Sequence, residues 1–375
     1  MDSPDVVTCI IEHLDLAGHL RFMSLCRTWR DMLRHTWGRA EHLSVTDLRL
    51  GASIAEQYRQ DVVQEGRGRL PPPHPAEPPL GFFQRPNDVK TLPHGRGLCV
   101  VDCSRHEKLR RVQIFSPALE PLHALVCPAP LGYPEERGCY AEGAFRAAAA
   151  SEDMLFVAYY FPGCPGDCGR IYKYSLPDLQ LVGTLSSNYE VTDADDENID
   201  DDDREWDLHF CNAEDMVVLD QRLYVCDRGG ECGYPSVVAF DLDLAHLFTF
   251  GTDELAIPMG IAVHAGHIYV VDEGTCCVAV FDPNGAFQHY VRCNGDRFDD
   301  PVCIAFAHGR ILVGEYTQPW FGRTSRVKVL TPDGVLLHTV DVDYNPISLC
   351  VDEAKDRVYV AAINDPRLHV LSMRG

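Results

Sequence analysis

The stretch GIAVHAGHIYVVD at residues 260–272, followed by VAVFDPNGAF at 278–287, decides the fold. Two short apolar runs around an Ala-Gly pair read as a hairpin, and Asp-Pro-Asn-Gly marks a second turn. The same plan returns as CIAFAHGRILVGE (303–315) with VKVLTPDGVL (327–336). It returns again as SLCVD (348–352), RVYVAA (357–362) and RLHVL (367–371). Looser copies lie upstream: DMVVLDQRLYVCD (215–227), MLFVAY (154–159) and GLCVVD (97–102). Each unit reads as strand, short turn, strand, loop, strand, turn, strand. The second strands end at Asp102, Tyr159, Asp227, Asp272, Glu315 and Ala362, at intervals of 57, 68, 45, 43 and 47 residues. A period near 45 with four strands per unit predicts a mainly β chain built as a six-bladed β-propeller. The last unit holds only three strands. Its outer strand is expected from Leu80-Gly-Phe-Phe-Gln-Arg85, which would remove an open edge and lock the circle.

Composition shifts sharply ahead of the repeats. Residues 66–79, GRGRLPPPHPAEPP, can neither continue a helix nor sit inside a sheet. Residues 1–45 read instead as a small helical piece. Ser3 can cap a helix with Pro4 in its first turn, and Val6, Val7, Ile10, Ile11 and Leu14 recur on one face. A second helix follows with Leu20, Met23, Leu25, Cys26, Trp29 and Leu33 apolar. So short a piece buries little alone, so its apolar faces call for a partner. The expected organisation is a helical domain at 1–45, a linker at 46–79 that is Pro-rich from 66, and a propeller at 80–375.

Both parts resemble known families. SPDVVTCIIEHLDLAGHLRFMSLCRTWRDML resembles an F-box, with Pro4, Val7, Ile10, Ile11, Leu14, Leu20, Arg21, Cys26, Arg27, Trp29 and Arg30 in register. It departs at the start, where Met1 or Asp2 replaces the usual Leu, and at Gly18, His19 and Ser24. The repeats are similar to NHL repeats through Pro258-x-Gly-Ile-Ala-Val, then Ile-Tyr-Val-Val-Asp, then Val-x-Val-Phe-Asp-x-Asn-Gly-x-Phe. That similarity is strong over 255–340 and weak before 215. The F-box resemblance implies docking to a Skp-type adaptor within a cullin–RING ubiquitin ligase, through Pro4, Val7, Ile10, Ile11, Leu14, Leu20, Cys26 and Trp29. The chain would then act as a non-catalytic substrate receptor whose propeller binds a protein client. A propeller-fold enzyme of lactonase or lyase type, and an interaction scaffold outside any ligase, stand as alternatives.

Charge narrows the partners. The 375 residues carry 33 Lys+Arg against 56 Asp+Glu, a net charge of −23 that disfavours nucleic acid and anionic membrane. Residues 190–207, EVTDADDENIDDDDREWD, hold eleven acids and one base. The order of an EF-hand is absent, so the segment is expected to be a solvated insertion between the second and third blades. There it could steer basic client segments. No apolar stretch reaches bilayer length, and no basic leader precedes the first helix, so a cytoplasmic or nuclear chain is expected. The 16 cysteines lack any CxxC and are expected to be free thiols; Cys164-Pro-Gly-Asp-Cys168 is the nearest approach to a zinc spacing.

The client face is expected where second-to-third-strand loops and inter-blade loops meet. Arg105, Phe161, Arg228, Tyr234, Trp320, Phe321 and Arg323 fall in those loops, and aromatic and Arg side chains are what recognition surfaces use. The recurring Asp102, Asp227, Asp272 and Glu315 read as structural acceptors for turn amides, not as a metal ring. No catalytic motif appears in a suitable context, and no cofactor or metal is expected.

Overall fold

The computed structural model describes residues 80–81, 83–103, 110–126, 144–160, 169–186, 210–229, 234–295, 297–316, 324–363 and 365–373. These residues form six antiparallel sheets, five of four strands and one of three, each in simple sequence order. The inner strands are Pro86–Leu92, Ala144–Ala150, Ala213–Leu219, Pro258–His264, Pro301–Ala307 and Asn345–Asp352. Each adjoins the next, and the sixth meets the first, so the ring closes. The expected six-bladed propeller is what the chain forms.

The reason lies in what the strands must bury. Gly97–Cys103 is buried at all seven positions and Cys277–Phe281 at all five, so these strands do not alternate. A strand buried on both faces belongs inside a stack, not on a half-solvated sheet. The described residues accordingly sort into six apolar clusters, one in each gap between neighbouring blades. Phe145, Val101 and Tyr172 meet between blades one and two, while Tyr224, Ile268 and Phe281 meet between blades three and four. Each fully buried aliphatic or aromatic side chain contributes about 1.5–3 kcal/mol, so every gap is worth more than any polar contact at its rim. The outermost strands, such as Pro121–Val126 and Leu336–Val342, return to partial exposure.

The turns repeat as well. Ser116, Ser175, Asp241, Asp282 and Thr331 each end or directly follow a third strand, and each side-chain oxygen accepts an amide hydrogen bond from the turn it opens. The turn of the later repeats thus continues upstream, with Ser116, Ser175 and Asp241 in the place of Asp282 and Thr331. The left-handed residue of the turn is Leu119, Leu179 or Leu244 in the early blades and Gly285 or Gly334 in the later ones.

One expectation fails. Residues 83–85 are not a strand, and the sixth sheet holds three strands among the described residues. The backbone there is committed elsewhere: Asp102 accepts from the Gln84 and Arg85 amides at 2.9 Å each, and Gln113 Oε1 accepts from the Gly81 amide at 2.8 Å. Phe83 fills the gap between blades six and one, so this segment packs over the end of the first blade. Residues 1–45, the linker 46–79, the insertion 190–207 and Cys164/Cys168 lie outside the described residues. The nine described cysteines are free thiols.

Gly334 and Gly309 separate two causes of glycine dependence. Both have positive φ, +88° and +71°, but a Cβ on Gly334 would lie 2.1 Å from the Arg292 carbonyl oxygen, whereas Gly309 faces open space. Gly309→Ala should cost about 1 kcal/mol in urea unfolding, the left-handed penalty alone. Gly334→Ala should cost about 3 kcal/mol, and equal losses would show that its turn relaxes freely.

Candidate functional site

On one face of the ring the inner strands begin and the second strands end. Four of the six second strands carry an acid at or next to their end: Asp102, Asp227, Asp272 and Glu315, exposed by 3% or less. Asp227 accepts the Cys211 and Asn212 amides at 3.0 and 2.7 Å; Asp272 accepts those of Ala256 and Ile257 at 2.8 and 3.0 Å. Glu315 accepts the Asp299 amide at 2.9 Å. These donors come from the segment entering the blade. In the following turn, where acceptance was expected, Gly229 donates to Asp227 and Thr275 to Asp272. The acids are structural: each clamps the chain as it turns onto the axis. Burial outweighs these bonds at Asp227 and raises its carboxyl. Glu315 also binds Lys328 Nζ at 2.7 Å and Arg326 Nε at 2.6 Å. In blade six the loop acid is Asp365; burial would raise it, but bidentate Arg367 and His369 hold it well below the usual range.

The inner strands share a second feature. In every blade the inner strand bulges at its first residues, directly opposite the end of the second strand. The residues skipped by the ladder are Asn87, Arg146, Glu214, Met259, Val302 and Ile347. A bulge re-aims a side chain, and five of these six line one recess at the axis together with Asp88, Asp215 and Ser348. The sixth, Arg146, reaches the same place: its Nη1 lies 3.9 Å from Glu214, and its carbonyl accepts from Asn87 Nδ2 at 2.7 Å. The sequence reading missed this ring. Its signal was present in the skipped residue of Pro86-Asn87-Asp88, Pro258-Met259-Gly260, Pro301-Val302-Cys303 and Pro346-Ile347-Ser348.

Beneath the ring sits a buried ionic cluster. Lys90 Nζ lies 2.6 Å from Asp215 Oδ1 and 3.4 Å from Asp88 Oδ1. Asp88 also accepts from Ser348 Oγ at 2.6 Å and from the Val89 and Ala148 amides at 2.8 Å each. Asp215 accepts from the Met216 amide at 2.7 Å and the Ile261 amide at 3.0 Å. Residues of blades one, two, three, four and six therefore share one network. Burial would lower the Lys90 ammonium, but Asp215 and Asp88 hold it above its ordinary range. Burial pushes Asp215 up to about 6 against the pull of Lys90. An ammonium occupies the space between these carboxylates, and among the described residues no group of three His, Cys, Asp or Glu could hold a metal ion.

Of the client-face residues, Arg228 lies at this mouth, with Nη1 3.8 Å from Glu214 and its side chain 44% exposed. Tyr234 stands farther out on the same face, 82% exposed. Arg105, Phe161, Trp320, Phe321 and Arg323 fall in 104–109, 161–168 and 317–323, outside the described residues. The strands that flank those three intervals end on this face.

Residues 3–37 match the F-box domain family. The chain is an F-box protein with a propeller. F-box domains generally bind Skp-type adaptors in cullin–RING complexes. No curated protein matches the chain. Among solved structures it is similar to Kuenenia stuttgartiensis hydrazine synthase, at 9% identity over 82% of this chain and 99% of that one, TM-score 0.48. It is also similar to the WD40 propeller domain of Doa1, at 12% identity over 79% and 95%, TM-score 0.44. Myxococcus xanthus glutaminyl cyclase follows at 15% identity over 61% and 91%, TM-score 0.38. No described helix is long and apolar enough to cross a membrane.

The ionic cluster predicts a pH-dependent variant. Lys90→Met leaves two buried carboxylates without their cation and should cost about 3–5 kcal/mol at pH 7. In the variant Asp215 titrates above its unfolded value, so folding takes up a proton and the penalty shrinks as pH falls from 7 towards 4. Asp215, at about 6 even with Lys90 present, sets the upper end of that window. Urea unfolding of both proteins across that range checks the prediction; a pH-independent loss would assign the effect to packing.

Proposed function

We propose that this chain is the substrate receptor of an SCF-type cullin–RING ubiquitin ligase. The observation that carries the reading is the pairing of an F-box at residues 3–37 with a propeller able to display loops on one face. Pro4, Val7, Ile10, Ile11, Leu14, Leu20, Cys26 and Trp29 form the adaptor-binding set, within a helical domain at 1–45. The NHL-like propeller, 80–375, binds the protein client through Arg105, Phe161, Arg228, Tyr234, Trp320, Phe321 and Arg323. The chain makes and breaks no bond. It raises the effective concentration of client lysines near the ubiquitin-charged enzyme, and proximity supplies the rate. The linker 46–79, stiff where it is Pro-rich, sets the spacing between docked helices and client. It works in cytoplasm or nucleus, without cofactor, nucleic acid or membrane.

Capture from cell extract tests the docking half. The wild-type chain should retain a Skp-type adaptor and a cullin, and the double variant Leu14→Asp/Trp29→Ala should lose both. Retention by the double variant, or no capture by wild type, overturns the assignment.

The acidic insertion gives a second test of the client half. A segment with eleven acids and one base attracts basic client segments at long range. Deleting 193–205 should weaken client capture and flatten its dependence on salt. Unchanged capture would remove the insertion from recognition.

A further inference from the structure

Basic charge in this chain is carried almost entirely by arginine. Lysine stands only at 90, 108, 173, 328 and 355, so the other 28 of the 33 Lys+Arg are arginine, and residues 1–89 hold no lysine. Lysine is ordinarily among the commonest residues of a soluble domain. The four described lysines share a second property: each ammonium is already held. Lys90 Nζ lies between Asp215 and Asp88 at 2.6 and 3.4 Å. Lys173 Nζ lies 2.8 Å from Asp243 Oδ1, and Lys328 Nζ lies 2.7 Å from Glu315 Oε1. The side chains of these three are exposed by 18% or less. Lys355 is more open, at 35%, but it pairs with Asp352 at 3.0 Å and donates to the Pro117 carbonyl at 3.0 Å. It sits in the turn after the sixth inner strand, on the face opposite to the one where the second strands end. Arginine stands in the open instead: Arg228 is half-exposed, and Arg297, in the segment entering blade five, is exposed.

We propose that this surface withholds acceptor amines from the ubiquitin-charged enzyme, so that the receptor escapes the transfer it directs at its client. The inference rests on the ligase reading above and names a regulation of it. In the transfer a neutral lysine Nζ attacks the thioester carbonyl of ubiquitin. The C–N amide bond forms, the C–S bond breaks, and the amine proton leaves on the thiol. A receptor is resident in the complex, whereas a client is there only while bound. Any free amine on the receptor therefore competes at high effective concentration in every cycle. Arginine keeps the positive charge and the hydrogen-bond donors that a recognition surface uses, but its guanidinium stays protonated and takes no acyl group. A lysine held on a buried carboxylate, as Lys90 and Lys328 are, must strip that carboxylate of its cation before it can attack.

Reconstitution with the full-length chain tests it, using a Skp-type adaptor, a cullin–RING core, ubiquitin, ATP and the activating and conjugating enzymes. Lys108 falls in 104–109, outside the described residues, so every chain carries Lys108→Arg. Mass spectrometry of Gly-Gly remnants on lysine locates ubiquitin on the receptor. Discharge of the charged enzyme onto free lysine shows that the mixture is active. The Lys108→Arg chain should carry little ubiquitin at positions 90, 173, 328 and 355. Adding Arg297→Lys, which sets a free amine on the face where the second strands end, should raise receptor ubiquitination at least tenfold, with the gain at position 297. Thermal melting confirms that the added substitution leaves the chain folded. Modification of any of the four native lysines at the rate seen at position 297 overturns the proposal. An Arg297→Lys chain that stays unmodified in an active mixture overturns it too. Adaptor capture by the same chains separates the two readings. Either of those outcomes with the adaptor captured defeats this proposal alone, whereas no capture defeats the ligase reading and this inference with it.

Discussion

Lys90 Nζ lies 2.6 Å from Asp215 Oδ1, and that contact joins blade one to blade three at the axis of the ring. Everything else in the propeller arranges itself around the need to close a circle there. A blade cannot bury its two faces alone, so stability comes from gaps between neighbours, and six gaps exist only if the sixth blade meets the first. The apolar gaps supply the energy of the stack. They do not say how far each inner strand slides along the axis. Asp88, Asp215 and Ser348 occupy the same position in their strands, and each takes an amide from the next blade: Ala148, Ile261 and Val89. The ammonium then fixes two of those strands to a common height. An ion pair so buried adds little net stability, and register is the better account of its presence.

The same positions build the mouth. Asp102, Asp227, Asp272 and Glu315 take the amides of the entering segment in four blades. The inner strand carries one residue more than the ladder can pair in all six, including those where Tyr159 and Ala362 replace the acid, and that residue bulges towards the axis. The bulge therefore belongs to the six-fold strand pairing and does not depend on the acid clamp.

Much of this was legible because it depends on local pattern. The strand-turn-strand units over 215–371 carry their own hairpin signals, and the aligned second-strand ends fell at the correct register in every blade. The fate of Leu80-Gly-Phe-Phe-Gln-Arg85 was not legible. Its apolar look suits a strand, but Asp102 and Gln113, both distant in sequence, claim its amides. The site was half legible. Loop position pointed to Arg228, yet Arg146 and Glu214 lie inside strands, where no local pattern marks them as meeting. Only the bulge turns them inwards, and a bulge shows in pairing register, which a single sequence does not display.

Charge is where the global and local readings separate. A net −23 describes the field a partner meets on approach, before contact and within a screening length, about 8 Å at physiological ionic strength. At that range basic segments are attracted and polyanions repelled. Within contact distance the mouth answers to its own groups: Arg146 and Arg228 pair with Glu214, and Glu273 bears on Arg228 as well, over a floor whose charges are paired or held by amides. Among the described residues no excess of positive charge is left there, so discrimination against a polyanion is set on approach, by the net −23 of the whole chain.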